Sequence, residues 1–202
     1  MEGLSPSPGL RERKKQKTRE TIVTVALGLF AERGYEQTTV AEIAEAAEVS
    51  PRTIFAYFQS KEDILFWDLP DLQERLAKAL RERPEGATAL DALREFILGS
   101  LVPDESDMVR RCVVDQDETL RRNKRARLAP LEQLVVEAIA EDLNAGADDI
   151  RPQIVAASLI AAFDAVHEQA GEAQSVSPEQ ALAVLDDVMD FLRGGLDALR
   201  RQ

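Results

Sequence analysis

The sequence predicts an all-α protein of about nine helices, with a small N-terminal head and a longer helical body. Its 202 residues are 45% hydrophobic, chiefly Ala, Leu, Val and Ile, which is enough apolar surface to bury a core. Gly and Pro are few and punctuate the chain. No segment alternates apolar and polar residues with the period of two that a half-buried strand needs, so we expect no sheet.

The first helix is predicted from about Lys14 to Arg33. Apolar residues recur there at helical spacing, and Gly34 follows as the expected C-terminal stop. The first ten positions hold two Pro, two Gly and two Ser. We therefore expect residues 1–12 to form a disordered arm ahead of the helix.

Two short helices follow the first. Thr39, with Glu42 three positions later, has the sequence of a capping box and opens the second helix. Ser50 supplies a new N-cap, and Pro51 stands at the first helical position, where its missing N–H is harmless. The third helix is predicted to run to about Phe58.

The head is predicted to comprise residues 13–60 and the body residues 61–202. Ser60 caps a long fourth helix that ends before Pro84. This helix and five later ones are predicted at 61–83, 86–101, 105–118, 124–144, 149–170 and 178–200.

The net charge of -12 hides an asymmetry. Residues 1–61 carry nine Lys or Arg and eight Asp or Glu, so nearly all the acidity lies in the body. Six cations stand close together at the start of the chain: Arg11, Arg13, Lys14, Lys15, Lys17 and Arg19. Such a run is often only a solvated tail, but its place before the short helices favours contact with nucleic acid.

Composition argues against several other classes of protein. One cysteine, Cys112, forms no intramolecular disulfide, and one histidine, His167, has no partner at ligand spacing, so we expect no metal, cofactor or catalytic site. There is no Gly-rich phosphate loop or nucleophile motif, which leaves a helical enzyme as a remote alternative. The N-terminus lacks an apolar leader and no stretch reaches about 18 apolar residues, so a cytoplasmic protein without membrane contact is expected.

Residues 39–58, TVAEIAEAAEVSPRTIFAYF, have the size and pattern of a helix-turn-helix. In such a motif the second helix is held across the first and presented to the major groove of DNA. The apolar positions are predicted to be scaffold: Val40, Ile43, Ala44, Ala47, Val49, Ile54 and Phe58, packed against Ile22, Ala26, Leu29 and Phe30. The predicted readers of base edges are Arg52, Thr53, Phe55 and Tyr57.

Phosphate contacts are predicted at helix starts and in the basic arm. Thr39 and Lys61 open helices, where free N–H groups and the helix dipole favour an anion. Ser50 and Lys17 complete the predicted set of DNA-contacting residues.

The head closely resembles the DNA-binding domain of the tetracycline-repressor (TetR) family over residues 18–65. The matching features are Phe30, Gly34-Tyr35, Thr38-Thr39-Val40, Ile43-Ala44, Ala47, Val49-Ser50, Thr53-Ile54-Phe55, Tyr57-Phe58 and Lys61-Glu62. Two positions depart from the family pattern. Glu48 stands in the turn where the family often has Gly, and Phe55 where it often has Tyr, which removes a hydroxyl that can touch phosphate.

The resemblance implies a homodimeric, all-helical regulator, usually a repressor, with a variable ligand-binding body. Its partners would be a palindromic double-stranded DNA operator, a second copy of the chain and a small-molecule effector. The last two helices resemble the pair that forms the family's four-helix dimer interface. Their apolar residues are Ile154, Leu159, Ile160, Phe163 and Val166 on one helix, and Leu182, Leu185, Val188, Met189, Leu192 and Leu196 on the other.

Two features of the body are open to more than one interpretation. Aromatic and sulfur side chains either line an effector pocket or are ordinary core: Phe66, Trp67, Phe96, Met108, Cys112 and Phe163, with His167 nearby. The basic cluster Arg121, Arg122, Lys124, Arg125 and Arg127 is either a solvated helix start or an entrance for an anionic effector such as an acyl-coenzyme A. The main alternative for the whole chain is a DNA-binding or architectural protein that needs no ligand.

Overall fold

A computed structural model describes residues 9–99, 105–172 and 178–200, and these residues form ten α-helices without a strand. The predicted all-α fold is confirmed. The helices are α1 (Leu10–Arg33), α2 (Val40–Ala46), α3 (Pro51–Tyr57), α4 (Lys61–Leu65), α5 (Leu69–Arg81), α6 (Ala89–Leu98), α7 (Glu105–Asp115), α8 (Glu118–Leu143), α9 (Arg151–Glu172) and α10 (Pro178–Arg200).

The described residues fall into two compact units. The first contains residues 9–68 and 105–124, so α7 and the start of α8 belong with α1 to α4. The second contains residues 69–99 and the chain from 125 onwards. Helices α4 and α7 pack on α1, so the first unit contains more residues than the predicted head of residues 13–60.

Helix α1 begins at Leu10, four residues before the predicted start and inside the arm expected to be disordered. The physical reason is that Leu, Arg, Glu, Lys and Gln are strong helix formers, and no Gly or Pro interrupts them after Gly9. The rest of the predicted arm, residues 1–8, lies outside the described residues.

The predicted helix 61–83 is two helices, because α4 ends at Leu65 and α5 begins at Leu69. Pro70 explains the break. Its ring has no N–H to donate to the carbonyl of Phe66 and would clash with that carbonyl in a continuous helix. In the first turn of a new helix, the same residue is tolerated.

The second unit is built around apolar side chains of α5, α6, α8, α9 and α10. One buried carboxylate, that of Asp142 on α8, ties three of its segments together. It lies 3.2 Å from the Arg83 guanidinium and accepts the amide of Ala89, the first residue of α6, at 2.6 Å. The side chain of Asp142 is only 8% exposed, so the cation and the helix N-terminus together compensate a charge removed from water.

Several apolar residues of α9 and α10 that were predicted to lie at a dimer interface lie instead in the core of the second unit. Leu159, Leu185, Met189, Leu192 and Leu196 are buried in the unit's own core. Since their side chains are already covered within one chain, they are not available to a second copy. No helix in the described ranges is long and apolar enough to cross a lipid bilayer.

Candidate nucleic-acid interface

The apolar positions of the helix-turn-helix form the core of the first unit, as the sequence predicts. Ile22, Ala26 and Phe30 of α1 are 0 to 2% exposed, and Ile43 of α2 and Ile54 of α3 are buried to the same degree. Of the other predicted scaffold residues, Ala44, Ala47 and Phe58 are buried, whereas Leu29, Val40 and Val49 are half-buried. Helices α2 and α3 are thus held by burial of one face each, which leaves their other faces to solvent.

The N-terminus of α2 is closed by the predicted capping box. The hydroxyl of Thr39 accepts the amide of Glu42 at 3.2 Å, and the Glu42 carboxylate accepts the Thr39 amide at 2.8 Å. Hydrogen bonds from Thr39, together with the nearby Arg33 guanidinium, lower the pKa of the Glu42 carboxyl. Thr38 is only 1% exposed and donates its hydroxyl to the carbonyl of Gly34 at 2.9 Å. Of the two threonines, Thr39 is therefore the one exposed to solvent.

The turn between α2 and α3 passes through Glu48 in the left-handed region, at φ 54°. Its geometry is that of a Schellman motif, in which the Val49 amide donates to the Ala44 carbonyl at 2.9 Å and the Glu48 amide to that of Glu45 at 3.1 Å. The departure from the family's usual Gly thus leaves the positive φ in place. A side chain at such a position costs about 1–2 kcal/mol of backbone strain.

Glu48→Gly is expected to stabilise the chain by about 0.5 to 1 kcal/mol, because it relieves this strain while increasing the entropy of the unfolded chain. Urea unfolding followed by circular dichroism measures the change. Glu45→Gly, three residues earlier on the helix, is the matched control and should destabilise by about 1 kcal/mol. A Glu48→Gly chain no more stable than wild type would contradict this account of the turn.

Helix α3 presents its first turn and one side to solvent. The Ser50 hydroxyl accepts the amide of Thr53 at 3.0 Å and lies 2.8 Å from the Thr53 hydroxyl, so the two form a closed cap. Arg52 is exposed, and Phe55 is 57% exposed although it is a large apolar side chain. Thr53 and Tyr57 are half-buried, and the Tyr57 ring lies 6.4 Å from that of Phe58. Arg52 and Phe55 are therefore the most accessible of the predicted readers.

The ammonium of Lys61 is directed at the protein's own backbone. It donates to the carbonyls of Tyr35 at 2.8 Å and Thr38 at 2.9 Å, and lies 4.2 Å from the centre of the Tyr35 ring. Burial, together with the charge of Glu62, raises the pKa of the Tyr35 phenol. Lys61 therefore ties α4 to the loop before α2, a long-range role that the sequence analysis missed. One N–H of the Lys61 ammonium remains for the predicted phosphate contact.

Lys61→Met keeps the aliphatic stem but removes the ammonium. The Thr38 carbonyl then loses its Lys61 donor, and the Tyr35 carbonyl keeps only the weaker bond from the Thr38 amide at 3.2 Å. We expect the free energy of unfolding to fall by about 1–2 kcal/mol. If the third N–H also reaches a phosphate, the salt slope of DNA binding falls by about 1 for each bound subunit. Thermal unfolding and binding titrations at several salt concentrations measure the two effects separately. Unchanged stability would contradict the holding role.

Arg19, which was grouped with the basic arm, also packs within the first unit. Its guanidinium donates to the Trp67 carbonyl at 3.0 Å and lies over the rings of Trp67 and Phe58, at 5.2 and 5.7 Å from their centres. Nearby, Arg110 of α7 pairs with Asp68 at 2.9 Å. The segment between α4 and α5 is thus held from α1 and from α7.

The predicted effector residues lie in both units. Phe66 is buried and Trp67 half-buried in the first unit, where Cys112 is exposed and Met108 is 56% exposed. Phe96 is half-buried in the second unit, and the side chains of Phe163 and His167 lie outside the described residues. Their role in binding an effector stays a prediction.

The basic cluster opens α8, and part of its charge is balanced locally. Arg122 pairs with Glu118 at 3.2 Å, and both side chains are more than 70% exposed. Arg121 donates to the carbonyl of Asp115 at 2.6 Å. Arg125 is also exposed. Both interpretations of the cluster, as a solvated helix start or as an anion entrance, are compatible with this exposure.

Two family models cover most of the described chain. One, described as bacterial regulatory proteins of the tetR family, matches residues 22–66, and the other, the MftR C-terminal domain, matches residues 89–197. The second match alone spans more than half of the 202 residues. The chain belongs to the tetR family. It is a transcriptional regulator with a helix-turn-helix DNA-binding head, and the resemblance found in the sequence is confirmed.

This tetR-family chain is similar to curated transcriptional regulators over most of their length. TcmR of Streptomyces glaucescens is 34% identical over 174 residues, which cover 79% of this chain and 74% of TcmR. A Mycobacterium tuberculosis regulator, MftR, whose name refers to mycofactocin biosynthesis, is 28% identical over 193 residues, or 94% of this chain and 96% of MftR. The similarity therefore extends beyond the head into the variable body.

Solved structures share the fold. NalD of Pseudomonas aeruginosa, described as the secondary repressor of a multidrug efflux pump, superposes with a TM-score of 0.66 at 22% identity, over 87% of this chain and 96% of NalD. FadR of Bacillus subtilis, in complex with stearoyl-CoA, superposes with a TM-score of 0.64 at 22% identity, over 86% of this chain and 96% of FadR. At this level of identity, the likeness concerns the fold alone.

Proposed function

We propose that this tetR-family regulator is a homodimeric repressor that binds a palindromic operator through α3 and is released by a small-molecule effector. The observation that carries the DNA-binding part is the exposed row on α3, where Arg52 and Phe55 project from a helix whose other face is buried. Burial of the Phe55 ring against a partner surface is favourable, because it removes apolar area from water.

The residues of the interface have distinct roles in this proposal. Arg52 donates two hydrogen bonds to a guanine edge, and Phe55 contacts a thymine methyl group. Tyr57 and Thr53 lie at the edge of the reading surface because they are half-buried. Phosphates are bound at the capped helix starts that carry Thr39 and Ser50, where backbone N–H groups and the helix dipole favour an anion.

The dimer is proposed to form through a second apolar stripe on α9 and α10, which we call the outer stripe. Its members recur at intervals of three and four residues and are exposed or half-exposed: Ile150, Ile154, Ala157 and Ala161 before and on α9, and Val184, Val188, Phe191, Gly195 and Ala198 on α10. Phe191 is 76% exposed. This spacing places them along one side of each helix, which lies opposite the buried residues on α9 and about 110° away from them on α10. Val188 also packs against the core of its own chain.

The effector is proposed to be a hydrophobic molecule. FadR, which shares this fold, is described with stearoyl-CoA bound, and NalD as a repressor of a drug efflux pump. Phe66 and Trp67 of the first unit supply apolar lining in this proposal, and Arg121 and Arg122 of the same unit attract an anionic group if the effector is acyl-CoA-like. Stearoyl-CoA should then release bound DNA, and neutral long-chain lipids should do so less strongly.

Selection of bound duplexes from a random pool tests the function. A palindromic site is expected, with half-sites about 34–36 Å apart or a multiple of that spacing, since two α3 helices must enter successive major grooves. Recovery of duplexes without any shared sequence would contradict sequence-specific regulation. If a site is selected but no hydrophobic ligand releases it, the ligand-independent alternative is favoured.

A further inference from the structure

We infer that the first two turns of α1 are the main electrostatic anchor of this protein on DNA, where they neutralise phosphates outside the reading surface. The inference rests on the proposed function and deepens it. Its residues are five cations that we call the basic face of α1: Arg11, Arg13, Lys14, Lys15 and Lys17.

The segment that contains the reading helix has a net negative charge. Residues 34–60, from the end of α1 to the start of α4, carry Glu36, Glu42, Glu45 and Glu48 against the single cation Arg52, a net charge of -3. DNA presents one phosphate charge per about 1.7 Å of helix axis, so such a surface gains little from counterion release. The cation that follows, Lys61, is directed at two backbone carbonyls. A regulator with this head needs positive charge from another element of the same unit.

The start of α1 supplies that charge in an ordered form. All residues from Leu10 to Lys17 are exposed, so α1 extends about 12 Å beyond Thr18, its first half-buried residue. No core contact explains this extension. The five side chains of the basic face are available to a ligand, because none of them has a hydrogen-bond or ion-pair partner within the described ranges. Arg19, by contrast, donates to the Trp67 carbonyl.

The arrangement of the charges on the helix is one-sided. At about 100° per residue, Arg13, Lys17, Lys14 and Arg11 fall within a sector of about 160°, and Lys15 lies about 40° beyond Arg11. Glu12 lies opposite the middle of that sector. Glu20, which accepts a hydrogen bond from Gln16 at 2.9 Å, lies at the edge of the sector, beside Arg13. A solvated tail needs no such segregation. A helix that lies along a phosphate backbone with one side does.

The test uses the full chain with Arg13, Lys14 and Lys17 each changed to Gln, a residue that keeps the helix propensity but removes the charge. Binding is measured by fluorescence anisotropy between 50 and 200 mM salt, on the selected duplex and on a random-sequence duplex of equal length. The dimer loses three cations from each subunit, so we expect the salt slope to fall by about 5 on both duplexes. Each lost contact corresponds to about 3.5-fold in affinity across that salt range, or about 2,000-fold for six.

The control removes the same charge elsewhere, by changing Arg75, Lys78 and Arg81 of α5 to Gln; all three are exposed. Its slope should equal that of wild type. The thermal midpoint of the α1 variant should also be unchanged, because the three side chains bury nothing. If the wild type binds the selected duplex and the α1 variant keeps the full salt slope, this inference is wrong and the proposed function stands. If the wild type binds no duplex, the proposed function is wrong.

Discussion

Arg52→Ala is expected to weaken binding of the selected operator by about 30-fold to 20,000-fold while it changes binding to random-sequence DNA far less. A bidentate contact between arginine and guanine discriminates by about 1–3 kcal/mol, and a dimer on a palindrome makes the contact twice. Arg52 is exposed on α3 and is the only cation between the end of α1 and the start of α4, so no neighbour can replace it. Anisotropy titrations on both duplexes measure the ratio of specific to non-specific affinity.

Two variants separate recognition by Arg52 from its charge. Arg52→Lys keeps the charge but lacks the planar fork, so it should lose most of the specificity and keep the salt slope. Arg81→Ala removes an exposed arginine from α5 and should leave the ratio unchanged. A repeated selection with Arg52→Ala should show relaxed preference at one symmetric pair of positions. An unchanged ratio for this variant would mean that another side chain reads the operator.

The head is predictable from its sequence because its signals are local. Thr39 with Glu42, Ser50 with Pro51, and Gly34 each act within one helical turn, and each forms the cap or stop that its sequence indicates. Long-range partners leave no such trace. Lys61 bonds to a carbonyl 26 residues away and Arg19 to one 48 residues away, so their residue types suggested phosphate contact rather than packing.

The body is less predictable because apolar periodicity does not say which partner covers a helix face. On α10, Leu185 and Met189 belong to the core, while Val184 and Phe191 lie on the outer stripe, yet all four are apolar residues of one helix. The dimer face predicted from the sequence contains Leu185 and Met189 but neither Val184 nor Phe191. The candidate pocket has the same weakness, since an aromatic or sulfur side chain such as Met108 fits a core, a pocket or an exposed surface equally well.

Phe191→Glu is expected to raise the dissociation constant of the dimer by about 1,000-fold or more. An aromatic hot spot contributes about 2 kcal/mol or more, and a two-fold interface contains it twice. A carboxylate buried in its place adds a desolvation cost. Because Phe191 is 76% exposed within one chain, the fold of the monomer should be unaffected. Sedimentation equilibrium measures the dissociation constant, and circular dichroism verifies the helical content.

Operator binding by the same variant distinguishes a functional dimer from one that forms only in solution. If each half-site is bound by one subunit of a preformed dimer, loss of the dimer removes the benefit of binding two sites at once, which is 10²-fold to 10⁴-fold for linked binding events. Ala183→Glu introduces the same charge at an exposed position of α10, about 100° away from Val184 on the outer stripe, and should leave both constants unchanged. A Phe191→Glu chain that remains dimeric would place the interface on another surface, and the outer stripe would then need a different partner.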